Sequence, residues 1–278
     1  MKKITICLPN EYYLKYLDYG AFNILKKKYK INFLINKDRL DKNKSSKRYI
    51  NKKILTKQNY QEYSLSKKDS RKYLGIVFLG LARYQERSNA FRWKMRRTFP
   101  SLIDYFKIKY TGYFLKYKKK PIFSFYIKMI IEYFNKPFLR WLKINFLSNR
   151  VIFFLYKKFI IDKYNSNDQL FNQLKKIKPD LIIYPSHCYE PETYKIVEMA
   201  EKINSKTLFL IDNWDNLSTK TVLFKKPNAI TVWGDQTKEH AMKIHEIPEK
   251  NIFKIGNPKF DSYFSLRKKK LESNFKFS

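Results

Sequence analysis

DLIIYPSHCYEPETYKIVEMAEKINSKTLFLI, residues 180–211, is the stretch of sequence that decides the fold. It opens with a short apolar run at 180–184 and closes with another at 207–211, and both have the length and composition of buried strands. Between them, residues 190–203 carry the pattern of a helix. A strand, a helix and a second strand in succession predict two parallel strands joined by a right-handed crossover.

The same alternation continues on both sides of this stretch. The other predicted elements are strands at 4–8, 31–35, 229–233 and 253–255, and helices at 11–28, 167–176 and 235–245. Strands that alternate with helices predict an α/β fold with a Rossmann-like parallel sheet. The polar segment 36–71 is predicted to be mostly loop, with a weak strand candidate at 53–55.

Residues 73–161 have a different character, because they are aromatic and basic throughout and contain long stretches without Gly or Pro. Between Asp104 and Asp162 the only acidic residue is Glu132. We predict a helical insertion at about 73–161. It either lies in the headgroup region of an anionic membrane or packs as ordinary helices with aromatic side chains in a core. Its two most apolar runs, 122–134 and 151–161, are too short to span a bilayer.

The composition limits the partners and the chemistry. A formal net charge of +35 in 278 residues favours anionic partners, although a codon bias toward Lys and Asn is an alternative origin. Cys7 and Cys188 are far apart and form no zinc or disulfide pattern, which favours a reducing cytoplasm. With 6 Gly there is no GxGxxG, P-loop or GxSxG motif, so dinucleotide oxidoreductases, P-loop NTPases and α/β-hydrolases are disfavoured. No cofactor and no metal site are predicted.

Candidate site residues follow two of the predicted strands, since ligands of such sheets bind beyond the carboxyl ends of the strands. His187 follows the strand at 180–184 and is either a proton carrier or substrate contact, or a local hydrogen-bonding residue. The densest polar cluster, DNWDNLSTK at 212–220, follows the strand at 207–211. It can supply a carboxylate as general base and Lys220 as an anion contact, or it can be a turn in which Asp and Asn cap backbone groups.

The order of the motifs resembles bacterial surface-polysaccharide glycosyltransferases of the GT-B type, over about residues 180–263. The motifs are DNWDNLSTK at 212–220, VWGDQ at 232–236, HEIP at 245–248 and IGNPKFD at 255–261. More distantly, the sequence is similar to the CDP-glycerol glycerophosphotransferases. Their Trp-His-Gly-Thr-Pro-Leu-Lys type motif places its Trp on Trp214, its activating His on Asp215 and its Lys on Lys220.

The resemblance implies residue roles and a domain plan. Asp215 would be the general base and Lys220 an anion contact, while His187, Asp212 and Asn216 would contact the acceptor. Residues 1–264 would form the acceptor-side lobe, and 265–278 a tail or truncated linker to a missing donor-binding lobe. That lobe, or a partner chain, would hold the nucleotide-activated donor.

The function implied by the resemblance is transfer of a sugar or glycerophosphate from a nucleotide-activated sugar or CDP-glycerol to a lipid-linked or glycan acceptor. The expected location is the cytoplasm, peripheral on the inner face of the cell membrane, with an anionic membrane surface as partner. The alternative is a non-catalytic basic module that binds membranes or nucleic acid, or a pseudoenzyme subunit. Nucleic acid is the less favoured partner, because it would not explain the ordered polar residues at the strand ends.

Overall fold

The structure is a computed structural model that describes residues 1–18, 20–37, 60–65, 77, 79–156, 158, 169–188, 190, 192–220, 222–257, 260 and 263. The chain divides into two compact units. The first, which we call the sheet unit, comprises Met1–Tyr73 and Asn165–Ser278. The second, the helical unit, comprises Leu74–Tyr164.

Within the described residues, the sheet unit is built on seven parallel strands in the order β3-β2-β1-β4-β5-β6-β7. The strands are β1 Lys3–Leu8, β2 Lys30–Asn36, β3 Tyr60–Tyr63, β4 Leu181–Ser186, β5 Lys206–Ile211, β6 Ala229–Val232 and β7 Ile252–Lys254. The central strands are apolar nearly throughout, because a parallel sheet is covered on both faces. The predicted Rossmann-like α/β fold is confirmed.

The helices of the sheet unit lie between its strands in the sequence. The bounds given by the described residues are α1 Lys15–Asp18, which follows a 3₁₀ turn at Glu11–Leu14, α2 Asn23–Lys28, α8 Gln169–Ile177, α9 Glu192–Lys202, α10 Asn216–Thr219 and α11 Asp235–Lys243, with a 3₁₀ turn at Glu249–Asn251. Labels α3 to α7 belong to the helical unit. The predicted helices at 167–176, 190–203 and 235–245 are confirmed within two residues at each end.

The prediction of one helix over residues 11–28 was wrong. The chain is interrupted at Gly20, which has φ +65°, and the backbone N–H of Ala21 donates to the carbonyl of Tyr16 at 3.0 Å. A left-handed residue at this point ends the first helix, and glycine adopts that conformation without a steric penalty. The apolar spacing continues across the break because Leu14 and Phe22 are both buried on the same side of the sheet.

The segment predicted as loop contains the edge strand β3, which pairs in parallel with Phe33–Asn36 of β2. The strand has the sequence YQEY, which lacks an apolar run, so the pattern gave no signal for it. Tyr63 is nonetheless fully buried. The weak strand candidate at 53–55 lies outside the described residues.

The helical unit contains α3 Asn89–Thr98, α4 Leu102–Tyr117, α5 Phe123–Tyr133, α6 Leu139–Ser148 and α7 Arg150–Tyr156, with a 3₁₀ turn at Gln85–Arg87. A π-helical turn at Phe134–Phe138, which contains Pro137, connects α5 to α6. Ser101 caps α4, since its Oγ accepts the Asp104 N–H at 3.1 Å. No helix in the described part of the chain combines the length and the apolar character needed to cross a membrane.

Both faces of β1 are buried, and the face formed by Ile4, Ile6 and Leu8 packs in a cluster with Tyr13, Leu14 and Phe22. We expect Ile6→Ala to lower the free energy of unfolding of the sheet unit by about 2–5 kcal/mol, because it leaves a cavity in this packed cluster. Urea denaturation measures the loss. Ile24→Ala is the matched control, since Ile24 is 72% exposed, and should change stability by less than about 0.5 kcal/mol. Equal effects of the two variants would contradict this assignment of the core.

Candidate functional site

The candidate site lies at the carboxyl edge of the sheet, where the strand order reverses. β1 is followed in sequence by β2 on one side of it, whereas β4 is followed by β5 on the other side. Parallel α/β sheets bind ligands in the crevice at this switch point. The segments that leave β1, β4 and β5 meet there through one set of polar contacts, which we call the switch-point network: Tyr12, Tyr13, Lys15, Tyr16, Ser186, His187, Glu190 and Asp212.

Asp212, the first residue after β5, is the centre of this network and is fully buried. Its Oδ1 pairs with Lys15 Nζ at 3.0 Å and accepts a hydrogen bond from Tyr16 Oη at 2.8 Å. Its Oδ2 contacts His187 Nε2 and accepts from Tyr12 Oη, both at 3.0 Å. Burial alone would raise the pKa of this carboxyl, but His187 and Lys15 hold the pKa well below its usual range. Asp212 is therefore a buried carboxylate in its charged form.

His187 lies between two carboxylates. Its Nε2 faces Asp212, and its Nδ1 lies 3.2 Å from Glu190 Oε1 and in contact with the hydroxyl of Tyr13. Burial by itself lowers the pKa of the imidazole, but the hydrogen bonds and charges of Asp212 and Glu190 raise it to about 9. The ring is thus an imidazolium at neutral pH, and both of its N–H groups already have acceptors.

Glu190 is the second buried carboxylate of the network. It accepts hydrogen bonds from Tyr13 Oη at 2.6 Å, Ser186 Oγ at 2.9 Å and the backbone N–H of His187 at 3.2 Å. Burial opposes its charge, but the contacts with His187 and Tyr13 lower the pKa of Glu190 below its usual value. The negative charges of Asp212 and Glu190 are balanced by the positive charges of Lys15 and His187. All four groups can therefore remain charged although they are largely removed from water.

The predicted polar cluster after β5 forms a short helical turn, α10, at the edge of this network. The Asp215 carboxylate accepts a hydrogen bond from Thr219 Oγ1 at 3.0 Å and lies 3.8 Å from Lys220 Nζ. Both side chains are partly exposed. The structure therefore brings the predicted base and the predicted anion contact together, in a position that solvent or a ligand can reach.

Asn216, in the same turn, is fully buried. Among the described residues, neither its amide nitrogen nor its amide oxygen has a hydrogen-bond partner. An unsatisfied buried amide costs about 1–3 kcal/mol. Asn216 is thus placed beside Asp215 with hydrogen-bonding capacity that the described contacts do not use.

His245 fixes the far side of α10. Its Nδ1 accepts the backbone N–H of Leu223 at 3.1 Å, so the proton is on Nε2, which donates to the carbonyl of Leu217 at 2.6 Å. The ring is buried. Asp215 therefore lies three residues after the buried Asp212 and two residues before Leu217, whose carbonyl His245 holds.

Sequence reasoning placed His187, Asp212, Asn216, Asp215 and Lys220 near one sheet edge, and the structure puts them at the ends of the neighbouring strands β4 and β5. It missed Tyr12, Tyr13, Lys15 and Tyr16, because residues 11–28 were interpreted only as an amphipathic helix. The rule that ligands lie beyond the carboxyl ends of strands also applies to β1 and would have pointed to them. Glu190 was taken only as the start of a helix.

The cysteines and possible metal ligands complete the description of the site. Cys7 and Cys188 are free and buried, and burial raises the pKa of both thiols, which makes them poor nucleophiles. Within the described residues, no group of three or more His, Cys, Asp and Glu side chains is arranged to hold a metal ion.

Comparisons of the chain with protein-family models, with curated proteins and with solved structures gave no match. The fold and the site together define a Rossmann-like α/β protein with a charged, mostly buried polar network at the switch point of its sheet.

The pKa of His187 predicts a pH dependence of stability. Because the pKa in the folded protein, about 9, lies above that of an unfolded histidine, about 6.5, the stabilisation is complete below pH 6.5 and is lost as the pH rises through 9. We expect the free energy of unfolding to fall by up to roughly 3 kcal/mol over this interval. Urea denaturation from pH 6 to 10 measures it.

His187→Gln should remove the part of this dependence that lies below about pH 8, whereas His240→Gln should retain it. Above about pH 8, the buried Cys7 and Cys188 thiols, whose pKa burial raises, add a loss of stability in wild type and in both variants. His240 is a suitable control because burial lowers its pKa, so it does not titrate between pH 6.5 and 9. A wild-type protein whose stability is constant over that interval would show that His187 is not an imidazolium in the folded state.

Proposed function

We propose that the protein is a glycosyltransferase-like component of cell-surface polysaccharide synthesis, in which the sheet unit forms the acceptor side of the reaction. The observation that carries the proposal is the Asp215–Lys220 pair, which lies partly exposed directly after β5, next to the switch point. The donor would be a nucleotide-activated sugar or CDP-glycerol, held by a second lobe or a partner chain as the resemblance implies. The acceptor would be a lipid-linked or glycan hydroxyl.

The proposed reaction assigns a role to each member of the pair. The Asp215 carboxylate takes the proton of the acceptor hydroxyl as the hydroxyl oxygen forms a bond to the donor. With a sugar donor, the new bond is to the anomeric carbon, and the bond between that carbon and the nucleotide phosphate breaks. With CDP-glycerol, the new bond is to the glycerol-bearing phosphorus, and the bond from that phosphorus to the CMP oxygen breaks. In both cases the nucleotide leaves with the electron pair on a phosphate oxygen. Lys220, 3.8 Å from Asp215, offers a positive charge to this developing anion.

The switch-point network has a supporting role in this proposal. The side chains of Asp212 and His187 are engaged on every side by Lys15, Glu190 and the tyrosines, so we revise their assignment from acceptor contacts to positioning residues. They hold the start of the 212–220 segment rigidly against β1 and β4. Such support keeps a reacting carboxylate in place without a reorganisation cost.

Two other residues of the segment support an acceptor site. Trp214 is 51% exposed and presents a flat apolar ring, on which the C–H face of a sugar can pack. Asn216 retains an unsatisfied buried amide beside Asp215, and a buried water that bridges to the acceptor would satisfy it.

We further propose that the protein is peripheral on the inner face of the cell membrane. The helical unit exposes many large apolar side chains among lysines and arginines, including Ile108, Phe114, Leu142 and Phe146. Anionic lipid attracts the basic side chains and accommodates the apolar ones. Nucleic acid would use the charge but offers no apolar phase for the aliphatic side chains.

A second candidate is a non-catalytic subunit of the same type of assembly. It is favoured by the saturation of the network, since His187, Asp212 and Glu190 all have their hydrogen-bonding groups in use. In that case the strand-end segment would bind a glycan without transferring it.

Asp215→Asn tests the transfer reaction. In a complex with the lobe or partner chain that holds the donor, and with a soluble acceptor, we expect turnover to fall by about 100-fold or more, because the amide cannot accept the proton. The midpoint of thermal unfolding should change little, since Asp215 is partly exposed. Glu249→Gln is the control, because this exposed carboxylate is also paired with a lysine, Lys238, but lies at the amino end of β7.

The donor is identified first, by a thermal-shift titration against CDP-glycerol and UDP-, GDP- and CMP-sugars, with simple polyanions as the control for charge. Selective stabilisation by one nucleotide supports the transferase. Turnover that survives Asp215→Asn would remove Asp215 from its role. The absence of any selective response is expected if a second lobe or a partner chain holds the donor, or if the protein is a non-catalytic subunit.

A further inference from the structure

Helices α4 and α5 of the helical unit form a hairpin that is held together by aromatic pairs. Near the turn, the rings of Tyr113 and Phe125 lie 4.6 Å apart, and farther from it the rings of Tyr105 and Tyr133 lie 5.4 Å apart. The pairing of early residues in α4 with late residues in α5 makes the two helices antiparallel. The hairpin is thus a packed element with a defined tip.

The end of the hairpin away from the tip contains its acidic charge. Glu132 pairs with Lys109 at 3.2 Å and accepts a hydrogen bond from Tyr105 at 3.3 Å. Asp104 is used in the cap of α4, where it accepts from Ser101 Oγ at 2.8 Å. Since these are the acidic residues of the two helices, the tip carries positive charge alone.

The tip itself, residues 115–123, has the sequence LKYKKKPIF. Lys118 adopts a left-handed conformation with φ 54°, and its N–H donates to the carbonyl of Phe114 at 2.8 Å, which ends α4 and turns the chain. Four lysines and four large apolar side chains are exposed here, and Ile122 and Phe123 are the most open of the latter, at 68% and 78%. The set is Leu115, Lys116, Tyr117, Lys118, Lys119, Lys120, Ile122 and Phe123.

Exposed apolar side chains grouped at the end of a hairpin have an unfavourable hydration free energy, and such groups mark contact surfaces. Two features identify the contact. The side chains protrude from the end of a helix pair, with α4 extending over roughly 24 Å, instead of lining a flat face or a groove. They alternate with lysines and with no carboxylate, which complements a negatively charged surface with an apolar layer beneath it.

We propose that this hairpin tip inserts into the headgroup layer of an anionic lipid bilayer. Ile122, Phe123 and Leu115 enter the boundary of the acyl chains, and Tyr117 remains at the headgroup level. Lys118, Lys119 and Lys120 pair with lipid phosphates. The inference deepens the proposed function, on which it rests for the identity of the acceptor, because it names the lipid surface at which a lipid-linked acceptor would be met.

Vesicle flotation with the full chain tests this inference. Vesicles of phosphatidylglycerol and phosphatidylcholine should bind the protein at low salt, and vesicles of phosphatidylcholine alone should bind it at least tenfold more weakly. Wild-type protein that binds neither, or that binds both equally, would overturn the proposal. The first of these outcomes would be the expected one if the tip instead served a protein partner.

Matched variants separate the apolar and the charged contributions. I122S/F123S should weaken binding to anionic vesicles by about tenfold or more, since two apolar side chains no longer leave water. Ile24→Ser, at a position of the sheet unit that is 72% exposed, should bind as wild type.

The charged contribution is tested in the same way. K118Q/K119Q/K120Q should also weaken binding by about tenfold or more, whereas K26Q/K27Q/K28Q, which removes the same charge from α2, should have a smaller effect. Equal effects of the two triple variants would overturn the role of the tip.

A site-specific probe checks insertion directly. Phe123→Cys, labelled with an environment-sensitive fluorophore, should show a blue-shifted emission on anionic vesicles, and a label at Ile24→Cys should not. The native thiols are buried and do not compete for the label. Protein that floats with vesicles without a shift at position 123 would show that another surface binds the lipid.

These assays contain no donor or acceptor, so their failure overturns the membrane contact alone. Asp215→Asn should bind vesicles as wild type, and the tip variants should transfer to a soluble acceptor as wild type. Failure of the transfer reaction is therefore distinguishable from failure of the lipid contact.

Discussion

The sheet unit depends on the burial of one charged side chain, the carboxylate of Asp212. Removing a carboxylate from water costs several kcal/mol, and the cost is offset only when cations and hydrogen-bond donors surround it. Lys15, His187, Tyr12 and Tyr16 do so here. Because these partners follow β1 and β4, whereas Asp212 follows β5, a single interaction fixes the relative positions of three strand ends.

The site therefore has two parts, a rigid set of buried charged residues and a partly exposed segment that follows it. His187 needs Glu190 as its second acceptor, and Glu190 in turn needs Tyr13 and Ser186, so the buried charges form a closed set. The position of the segment that starts after Asp212 is fixed by these buried residues and by the hydrogen bond of His245 to the Leu217 carbonyl. Asp215 and Lys220 are partly exposed to solvent on the short helical turn that follows.

The two units differ in how much of their apolar surface is buried. In the sheet unit, Ile6, Leu8, Phe33 and Ile35 are almost completely buried between helices and strands. In the helical unit, aromatic pairs hold α4 and α5 together while many of the other large apolar side chains remain exposed. The first pattern is that of a conventional core, and the second leaves apolar surface that favours a partner or a lipid phase.

The sequence by itself determined the alternation of strands and helices, because apolar runs such as 181–183 and 207–211 can be buried only in the middle of a covered sheet. It also placed His187 and the 212–220 segment at strand ends, since that follows from the order of elements. It did not show β3, because the sequence YQEY has no apolar run and forms a strand through its pairing with β2. It also did not show the break in the helix at Gly20, because the apolar spacing continues across that residue. The tertiary structure alone decided that Lys15, about 200 residues before Asp212 in the chain, neutralises that carboxylate. Such an ion pair depends on which strands become neighbours in the sheet. The periodicity of a sequence shows which face of a helix or strand is buried, but it does not show which charged side chains of other elements will pack against that face.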